Sequence, residues 1–468
     1  LVTTEYIALH ETSKKIRSLK NNKSPGFDDI TNRLIKVVRP FACVIMSLHW
    51  LIKNIPFVAI KYLTCIYNSC LSTSYFPKAW KHAKVIAIPK AGKDKKNIQN
   101  YRPISLLSSA SKIFEALIAD RINDFIFDKD IIPNVQFGFR KQHSPDHQLF
   151  RLFKEINFNL RNKKSTGLLS FDIEKAFDSV WHEGLIHKLD KFNIPIHITK
   201  LIHSFLNERT FSVSSGQFSS NALHAPFGLP QGSSLSPLLY NIYTSDVPLS
   251  GSCGLAMFAD DTAIFCASRF YKHIEKNLKK YANELIKYFH KWKIKINNDK
   301  TTAIFFTNRR KKQLSQNHIL INKVCIPYSK EIKYLGISFD NKLKLNPHFI
   351  KLVSKLNFIT RLYYPLINRR SFLSNPNKAL LFKTLFQPVM LYGSAILKNA
   401  PKYLIKKLQV KQNKLLKMFL NLPWDTRTAT VHSLANVGFI KDKICERSSK
   451  FLEKCRTVDN DLIINLPT

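Results

Sequence analysis

No C-x-x-C pair occurs among the eight cysteines (Cys43, Cys65, Cys70, Cys253, Cys266, Cys325, Cys445 and Cys455), and no Cys/His cluster has zinc spacing. Zinc fingers, knuckles and ribbons are thereby excluded. Most of the cysteines stand in apolar surroundings, as reduced, buried thiols of an intracellular protein would. Long apolar runs are missing as well. The most apolar stretch, 41-FACVIMSLHWLI-52, has twelve residues between Arg39 and Lys53. That is too short for a bilayer and reads as a buried helix, so no membrane partner is expected. No signal peptide is recognisable, and the chain opens on Leu1 rather than Met, so we read it as a fragment missing an N-terminal part. Acidic residues are scarce: 32 Asp and Glu against 73 Lys and Arg leave a net charge of +41. The excess runs along the whole chain, which points to a polyanion and above all to nucleic acid; a lysine-rich but ordinary surface is the plainer reading.

Neither an internal repeat nor a long low-complexity linker interrupts the 468 residues, 45% of them hydrophobic. Such a chain buries a large core divided into two to four domains or subdomains. An opening amphipathic helix ends at 21-NNKSPGFDD-29, and a helical, aromatic region runs to about Trp80. A short strand then enters a basic loop at 84-KVIAIPKAGKD-94. In 166-TGLLSFDIEKAFDSVW-181 the period of two puts Leu169, Phe171 and Ile173 on a core face and Leu168, Ser170 and Asp172 on the other. Trp181, Leu185 and Leu189 follow at helical spacing, and 226-PFGLPQGSSLSPLLYNIY-243 reads as a loop leading into a helix. Tyr281, Leu285, Phe289 and Trp292 form another helical stripe. The segments 294-IKINNDKTTAIFF-306 and 332-IKYLGISFDNKLKL-345 read as strands, the second with a hairpin turn near Asp340-Asn341. From about Asn346 the pattern is helical and basic, with Leu404, Leu408, Leu415 and Phe419 on one stripe. Mixed strand and helix, then helix alone, is an α+β architecture.

Within 255-LAMFADDTAIFC-266, two adjacent aspartates interrupt apolar runs. Neighbours on a strand point to opposite faces, so both stay near one site only at a turn. Asp-Asp is a poor hairpin turn and sets two like charges in contact, which raises the pKa of at least one. A divalent cation removes that penalty, and hard carboxylate oxygens suit Mg²⁺. A third carboxylate on another strand, for which Asp172 is the candidate, would complete a two-metal site for in-line phosphoryl transfer. Taken alone, the dipeptide reads as an exposed turn.

In order along the chain stand NYRPISLL (100–107), QFGFRKQHS (136–144), FDIEKAFD (171–178), GLPQGSSLSP (228–237), FADD (258–261), INNDKT (296–301) and YLGISFD (334–340). Together these motifs resemble reverse transcriptases, in particular those of non-LTR (LINE-type) retrotransposons and, among them, the jockey-like elements of insects. The resemblance covers nearly the whole chain: 13–36 is similar to the family's N-terminal extension, and 381–395 and 411–424 to its thumb. It implies a right-hand polymerase, with an N-terminal extension over 1–69, fingers and an antiparallel-sheet palm backed by helices over 70–340, and a helical thumb and tail over 341–468. It implies an RNA-directed DNA polymerase using two Mg²⁺ ions, with Mn²⁺ as a substitute.

By the same resemblance, Asp172, Asp260 and Asp261 are the catalytic, metal-binding carboxylates, Asp260 the main ligand and Asp261 a support. Phe177, five residues after Asp172, would stand under the incoming sugar and exclude a ribose 2′-OH; ordinary core packing is the plainer role. Gln231 and Gly232 match the loop that meets nucleotide and template, where Gly allows close backbone approach. Arg102 and Lys90 match finger residues that hold the triphosphate, and Lys300 would assist pyrophosphate departure; both lysines also read as solvated charges. Tyr334, Leu335 and Gly336 match the hairpin gripping the primer 3′ end, and Lys406, Lys407 and Lys411 of the thumb would touch nucleic-acid backbone. The implied partners are template RNA, taken to be the element's own transcript, a DNA primer or nicked target DNA, and dNTPs. The site of action would be the nucleus, after synthesis in the cytoplasm.

Two departures qualify the resemblance. Residues 37–52 look extra, an insertion or a retained non-coding piece. Nor is the family's upstream endonuclease visible, so this chain would polymerise but not cut. An inactive or domesticated relative that only binds RNA is the main rival, and the presence of Asp172, Asp260 and Asp261 argues against it. An RNA-templated RNA polymerase is disfavoured by Phe177 and by GLPQGSSLSP, and a purely structural basic surface leaves the ordered motifs unexplained.

Overall fold

A computed structural model describes residues 6–20, 24, 46–90, 92, 94–309, 318–322 and 324–466. Of the segment read as an insertion, 37–45 lies outside the described residues, and 46–52 opens the helix Met46–Ser72. Among the described residues the strands are β1 His82–Pro89, β2 Tyr101–Leu106, β3 Ser165–Ile173, β4 Thr210–Ser215, β5 Phe218–Ser219, β6 Leu223–His224, β7 Gly254–Phe258, β8 Asp261–Ser268, β9 Ile296–Phe306, β10 His318–Ile321, β11 Val324–Ser329, β12 Glu331–Tyr334 and β13 Ile337–Asp340. The chain divides into two units, one of Leu1–Pro133, Ile173–Val247 and Lys287–Lys295, the other of Asn134–Asp172, Pro248–Ile286 and Ile296–Thr468.

The first unit holds the sheet β2-β1-β4-β5, with β6 also on β4. β1 and β2 form an antiparallel hairpin, while β1 and β4 run parallel. Its helices carry an aromatic core in which Tyr67 stacks on Phe114 at 5.2 Å and Phe76 meets Phe205 edge-on at 5.0 Å. The helix Ser109–Asp128 packs Ile113, Phe114, Leu117 and Ile118 inward and takes Glu115 in with them.

The second unit is built on the sheet β10-β11-β9-β3-β8-β7, in which β3–β8, β7–β8 and β10–β11 are antiparallel and β9–β11 parallel. β3 is an interior strand, and its first half is covered on both faces: Leu168 and Leu169 are equally buried. The alternation expected from the sequence holds only from Ser170 onward, because an interior strand between packed helices has no solvent face. The helical remainder adds Leu404, Leu408, Leu415 and Phe419 of Lys402–Phe419 to one continuous core, all four buried as their spacing predicts. The stripe Tyr281, Leu285, Phe289 and Trp292 is buried too. Among the described cysteines Cys70, Cys253, Cys266 and Cys455 are buried, as expected for most of them, but Cys65, Cys325 and Cys445 are exposed. Apolar neighbours in sequence do not bury a residue that lies on the outer face of its element.

Two histidines make this unit acid-sensitive. Burial, then His143 and Lys454, push His147 down to about 4, and burial, then Lys351, does the same to His348. The Ser144 N–H donates to His147 Nδ1 at 3.1 Å, a bond that protonation there would break. Between pH 6.5 and 4 the unfolded chain takes up protons at both sites that the native chain refuses. Stability is therefore lost as pH falls through that window, by about 2 kcal/mol per histidine at pH 5. Burial raises Asp146 and Glu155, which titrate in the opposite sense. The check is urea unfolding at pH 7 and pH 5: exchanging His147 and His348 for Gln should flatten the difference by about 4 kcal/mol.

Candidate active site

The hairpin β7–β8 pairs Phe258 with Asp261, so its two-residue tip is Ala259–Asp260 and Asp261 is already the first residue of β8. The aspartates therefore do not share the turn as the sequence suggested. Ala259 takes the left-handed conformation, with φ 56. This lets the tip close although it lacks the Asn-Gly or Asp-Gly of a favoured hairpin. The β3–β8 register runs to Phe171 opposite Thr262, and one step further sets Asp172, next to last in β3, across from Asp261. Three carboxylates thus come from two adjacent strands and the tip between β7 and β8, all within the second unit.

Their charges act on one another. Asp261 keeps exposed surface, yet its carboxyl is pushed up to about 6, first by the protein packed around it, then by Asp260 and Asp172, with Lys333 pulling the other way. The like charges alone fix that direction. Asp172 faces Lys300, with Oδ2 3.3 Å from Nζ. A donor set of mutually repelling hard oxygens fits a divalent cation in its chemistry. Among the described residues no three His, Cys, Asp or Glu side chains already converge as a metal cage.

Beside this group stands the β12–β13 hairpin. Its register, Tyr334 opposite Ile337, puts the turn at Leu335–Gly336 and not near Asp340–Asn341. Both turn residues have positive φ, 42 and 82, the pattern of a tight two-residue turn. Asp340 instead accepts the Leu345 N–H at 2.6 Å. Tyr334 is buried, its hydroxyl donating to Ala256 O at 3.3 Å, so it braces β7 from within. The Tyr392 hydroxyl donates to Leu335 O at 2.6 Å and steadies the turn. In the helix Lys402–Phe419, Lys406 and Lys407 are exposed, and Lys411 is half-buried, its pKa lowered by burial and then by Lys414.

The remaining candidates lie in the first unit. Ile88 is opposite Arg102 in the β1–β2 register, so Lys90, two residues on, shares a face with Arg102 as its diagonal neighbour. Arg102 is exposed, and Lys90 donates to Gln99 O at 3.0 Å. The loop with Gln231 and Gly232 is stitched to the turn after Asp172. The Leu229 N–H donates to Phe177 O at 2.7 Å, the Gly228 N–H to Val180 O at 2.8 Å, and Gln231 Nε2 to Asp178 Oδ1 at 2.8 Å. Gly232 passes so close to β2 that a Cβ would stand 2.5 Å from Ser105 O, and its φ of 133 suits glycine. Phe177 is half-buried and packs on Tyr240, ring centres 5.2 Å apart.

Sequence reasoning passed over two supports of this loop. Glu115, fully buried, accepts from Ser233 Oγ at 2.6 Å, from the Ser234 N–H at 2.8 Å and from Ser111 Oγ at 2.7 Å. Lys188, also fully buried, donates to Asp246 Oδ1 at 2.6 Å and to the Tyr243 carbonyl, with its ammonium 3.7 Å from the Trp292 ring centre. It ties the helix His182–Lys191 to the end of the helix Ser236–Tyr243 that the loop enters. A lone carboxylate inside 112-KIFEALI-118 was the available signal for Glu115; nothing in the local sequence marks Lys188.

The family model for reverse transcriptase (RNA-dependent DNA polymerase) matches residues 88–339, which hold Asp172, Asp260 and Asp261. The chain is 32% identical to the probable RNA-directed DNA polymerase from transposon BS of Drosophila melanogaster, over 96% of this chain and 48% of that protein. It is 32% identical to the RNA-directed DNA polymerase from mobile element jockey of the same organism, over 99% of this chain and 49% of that one. It thus spans about half the length of the curated relatives it matches. Among solved structures, it is similar to telomerase from Candida albicans in complex with a TWJ fragment of telomeric RNA, at 14% identity, covering 86% of this chain and 70% of that one with a TM-score of 0.39. Reverse transcriptase domains generally use divalent metal ions, as the three carboxylates here would suit. On the family match over residues 88–339 and the 32% identity over nearly its whole length, this chain belongs to the reverse transcriptase (RNA-dependent DNA polymerase) family.

Proposed function

We propose that the chain is the polymerase part of a non-LTR, jockey-like retrotransposon protein, and that it extends a DNA 3′ end with dNTPs on an RNA template. The observation that carries this reading is the set of Asp172 on β3, Asp260 at the tip of β7–β8 and Asp261 on β8, within residues 88–339 that the family model matches. These carboxylates would hold two Mg²⁺ ions, with Mn²⁺ able to substitute, Asp260 as the principal ligand and Asp261 in support. Bound there, divalent ions supply activation of the primer 3′-hydroxyl and neutralisation of the departing pyrophosphate.

The chain's own residues do the rest. Arg102 and Lys90, on one face of the β1–β2 hairpin, would hold triphosphate oxygens. Gln231 and Gly232 would meet the nucleotide, Gly232 by backbone. Phe177 would crowd the 2′ position, and Lys300 would release Asp172 and donate a proton to pyrophosphate. Leu335 and Gly336 would grip the primer end, with Tyr334 bracing their hairpin from the core. Lys406, Lys407 and Lys411 would contact phosphates without reading sequence. The division 1–69, 70–340 and 341–468 into extension, fingers with palm, and thumb belongs to the same proposal. So do the element's own transcript as template, nicked target DNA as primer, an upstream endonuclease in the full-length protein, and nuclear action.

The test is primer extension by the purified chain on RNA template and DNA primer in Mg²⁺, with dNTPs and NTPs side by side and Asp260→Ala as control. Extension with dNTPs that vanishes in the variant is expected; tight RNA binding without extension would favour the inactive, RNA-binding relative. A further expectation concerns the sugar. Phe177→Val should raise the use of NTPs relative to dNTPs by about 10- to 100-fold, read as the ratio of kcat/KM values. An unchanged ratio would leave Phe177 as packing for Tyr240.

A further inference from the structure

The turn that carries Asp260 is held from outside its hairpin by a segment to which no role has been given above. Residues 134–139, which enter the motif 136-QFGFRKQHS-144, run parallel along the free edge of β7. The Met257 N–H donates to Val135 O and the Phe137 N–H to Met257 O, each at 3.0 Å. Gln148 Nε2 adds a bond to Met257 O at 3.0 Å. At the end of this contact, Gln136 Oε1 accepts two backbone N–H groups: that of Gly138 at 2.8 Å and that of Ala259 at 2.9 Å. Ala259 is the left-handed residue immediately before Asp260, in a conformation that residues with a Cβ avoid unless something holds them there.

Three further observations give this bond weight. Gln136 is 1% exposed, and its Nε2 makes no hydrogen bond among the described residues. Burying half of an amide unsatisfied is unfavourable, so the acceptor end is what the position uses. Gly138 is packed so closely that a Cβ there would stand 2.2 Å from the Ala259 nitrogen, which leaves the turn no room to relax toward the segment. And Phe137, fully buried against Cys455 and Ile463, anchors the segment to the C-terminal helices of the same unit.

We infer that Gln136 is a positioning residue for the Asp260 turn: its side-chain carbonyl pins the Ala259 amide and thereby sets where the Asp260 carboxylate points. The catalytic consequence rests on the proposed polymerase reading; the positioning itself does not. A misplacement of about 1 Å at a reacting centre is enough to cost about 10²-fold in rate.

The experiment compares the full chain, Gln136→Met and Gln148→Met. Both substitutions keep side-chain volume, and each removes a side-chain hydrogen bond to the β7–β8 hairpin, Gln148→Met at Met257 O of β7 and Gln136→Met at the Ala259 amide, so only Gln136→Met releases the turn amide. Each protein is assayed for primer extension (kcat, KM for dNTP and affinity for primer–template), for thermal melting, and for backbone hydrogen exchange over 255–262 without metal or substrate. The expected result is a fall in kcat of at least about 30-fold for Gln136→Met, with KM and primer–template affinity within about twofold. Exchange should quicken at the Ala259 amide, while Gln148→Met, though destabilised, loses less than about threefold in kcat and keeps that amide protected. Losses in kcat that track melting temperature equally in both variants, or wild-type kcat and exchange in Gln136→Met, would overturn the inference. If the wild-type chain extends no primer, the polymerase reading fails and the exchange arm decides alone: faster exchange at Ala259 in Gln136→Met only supports positioning, and equal exchange in the two variants removes it.

Discussion

Asp172→Asn is expected to reduce primer extension by on the order of 10³-fold or more while leaving the fold intact. The size follows from what the carboxylate would do: charge stabilisation around a bound divalent ion is worth several kcal/mol, and each 1.36 kcal/mol is tenfold in rate. The intact fold follows from where the residue sits. Its ion pair with Lys300 spans 3.3 Å, with side chains 43% and 65% exposed, and such surface pairs contribute at most about 1 kcal/mol. Melting of the variant should thus stay within a few degrees of the wild type. Lys300→Ala breaks the same pair from the other side and should reduce extension less, by about 10²-fold if the ammonium donates a proton and hardly at all if it is only a solvated charge. A folded Asp172→Asn protein that still extends primers at near wild-type rate would remove Asp172 from the metal-binding set and with it the two-metal reading.

The largest stability effect is expected at Glu115. Glu115→Ala should cost about 3–5 kcal/mol, because it strips the partners from the hydroxyls of Ser111 and Ser233 and from the Ser234 N–H at once, and deprives buried Arg209 of a nearby negative charge. Arg209 is 4% exposed and already pushed down to about 10 by burial, with Glu115 as the counterweight. Glu115→Gln should fall between, since an amide oxygen still accepts but the charge is gone. Urea unfolding of the three proteins gives the order. A loss below about 1 kcal/mol for Glu115→Ala would mean that the loop 231–236 holds its shape without this carboxylate. Since that loop bears Gln231 and Gly232, a weaker dNTP affinity should accompany the loss of stability.

Much of this was present in local sequence. The period of 3.6 in Leu404, Leu408, Leu415 and Phe419 determines which face of their helix is buried, because that spacing returns to one side of the cylinder whatever packs there. Strand candidates were legible where one face is apolar, and the aspartates, which alone read as an exposed turn, stood out once the other motifs were found in order around them. The charge of +41 indicated a polyanionic partner without reference to any fold.

Tertiary structure alone decided the rest. The turn of the β12–β13 hairpin moved from Asp340–Asn341 to Leu335–Gly336, since turn propensity ranks dipeptides while cross-strand pairing of Ile332 with Phe339 selects the register that buries both. Leu168 is buried on what a two-period reading makes the outer face, because β3 lies inside its sheet. The shared turn expected of Asp260 and Asp261 became a tip residue and a strand residue, a difference of one position that hydrogen-bond pairing fixes and composition does not. Hydrophobic periodicity therefore established which elements form and which faces are buried, since each depends on residues a few positions apart. The support of Ala259 by Gln136, of loop 231–236 by Glu115 and of Asp246 by Lys188 joins residues 123, 118 and 58 positions apart, and a hydrogen bond across such distances leaves no periodic trace in the chain that makes it.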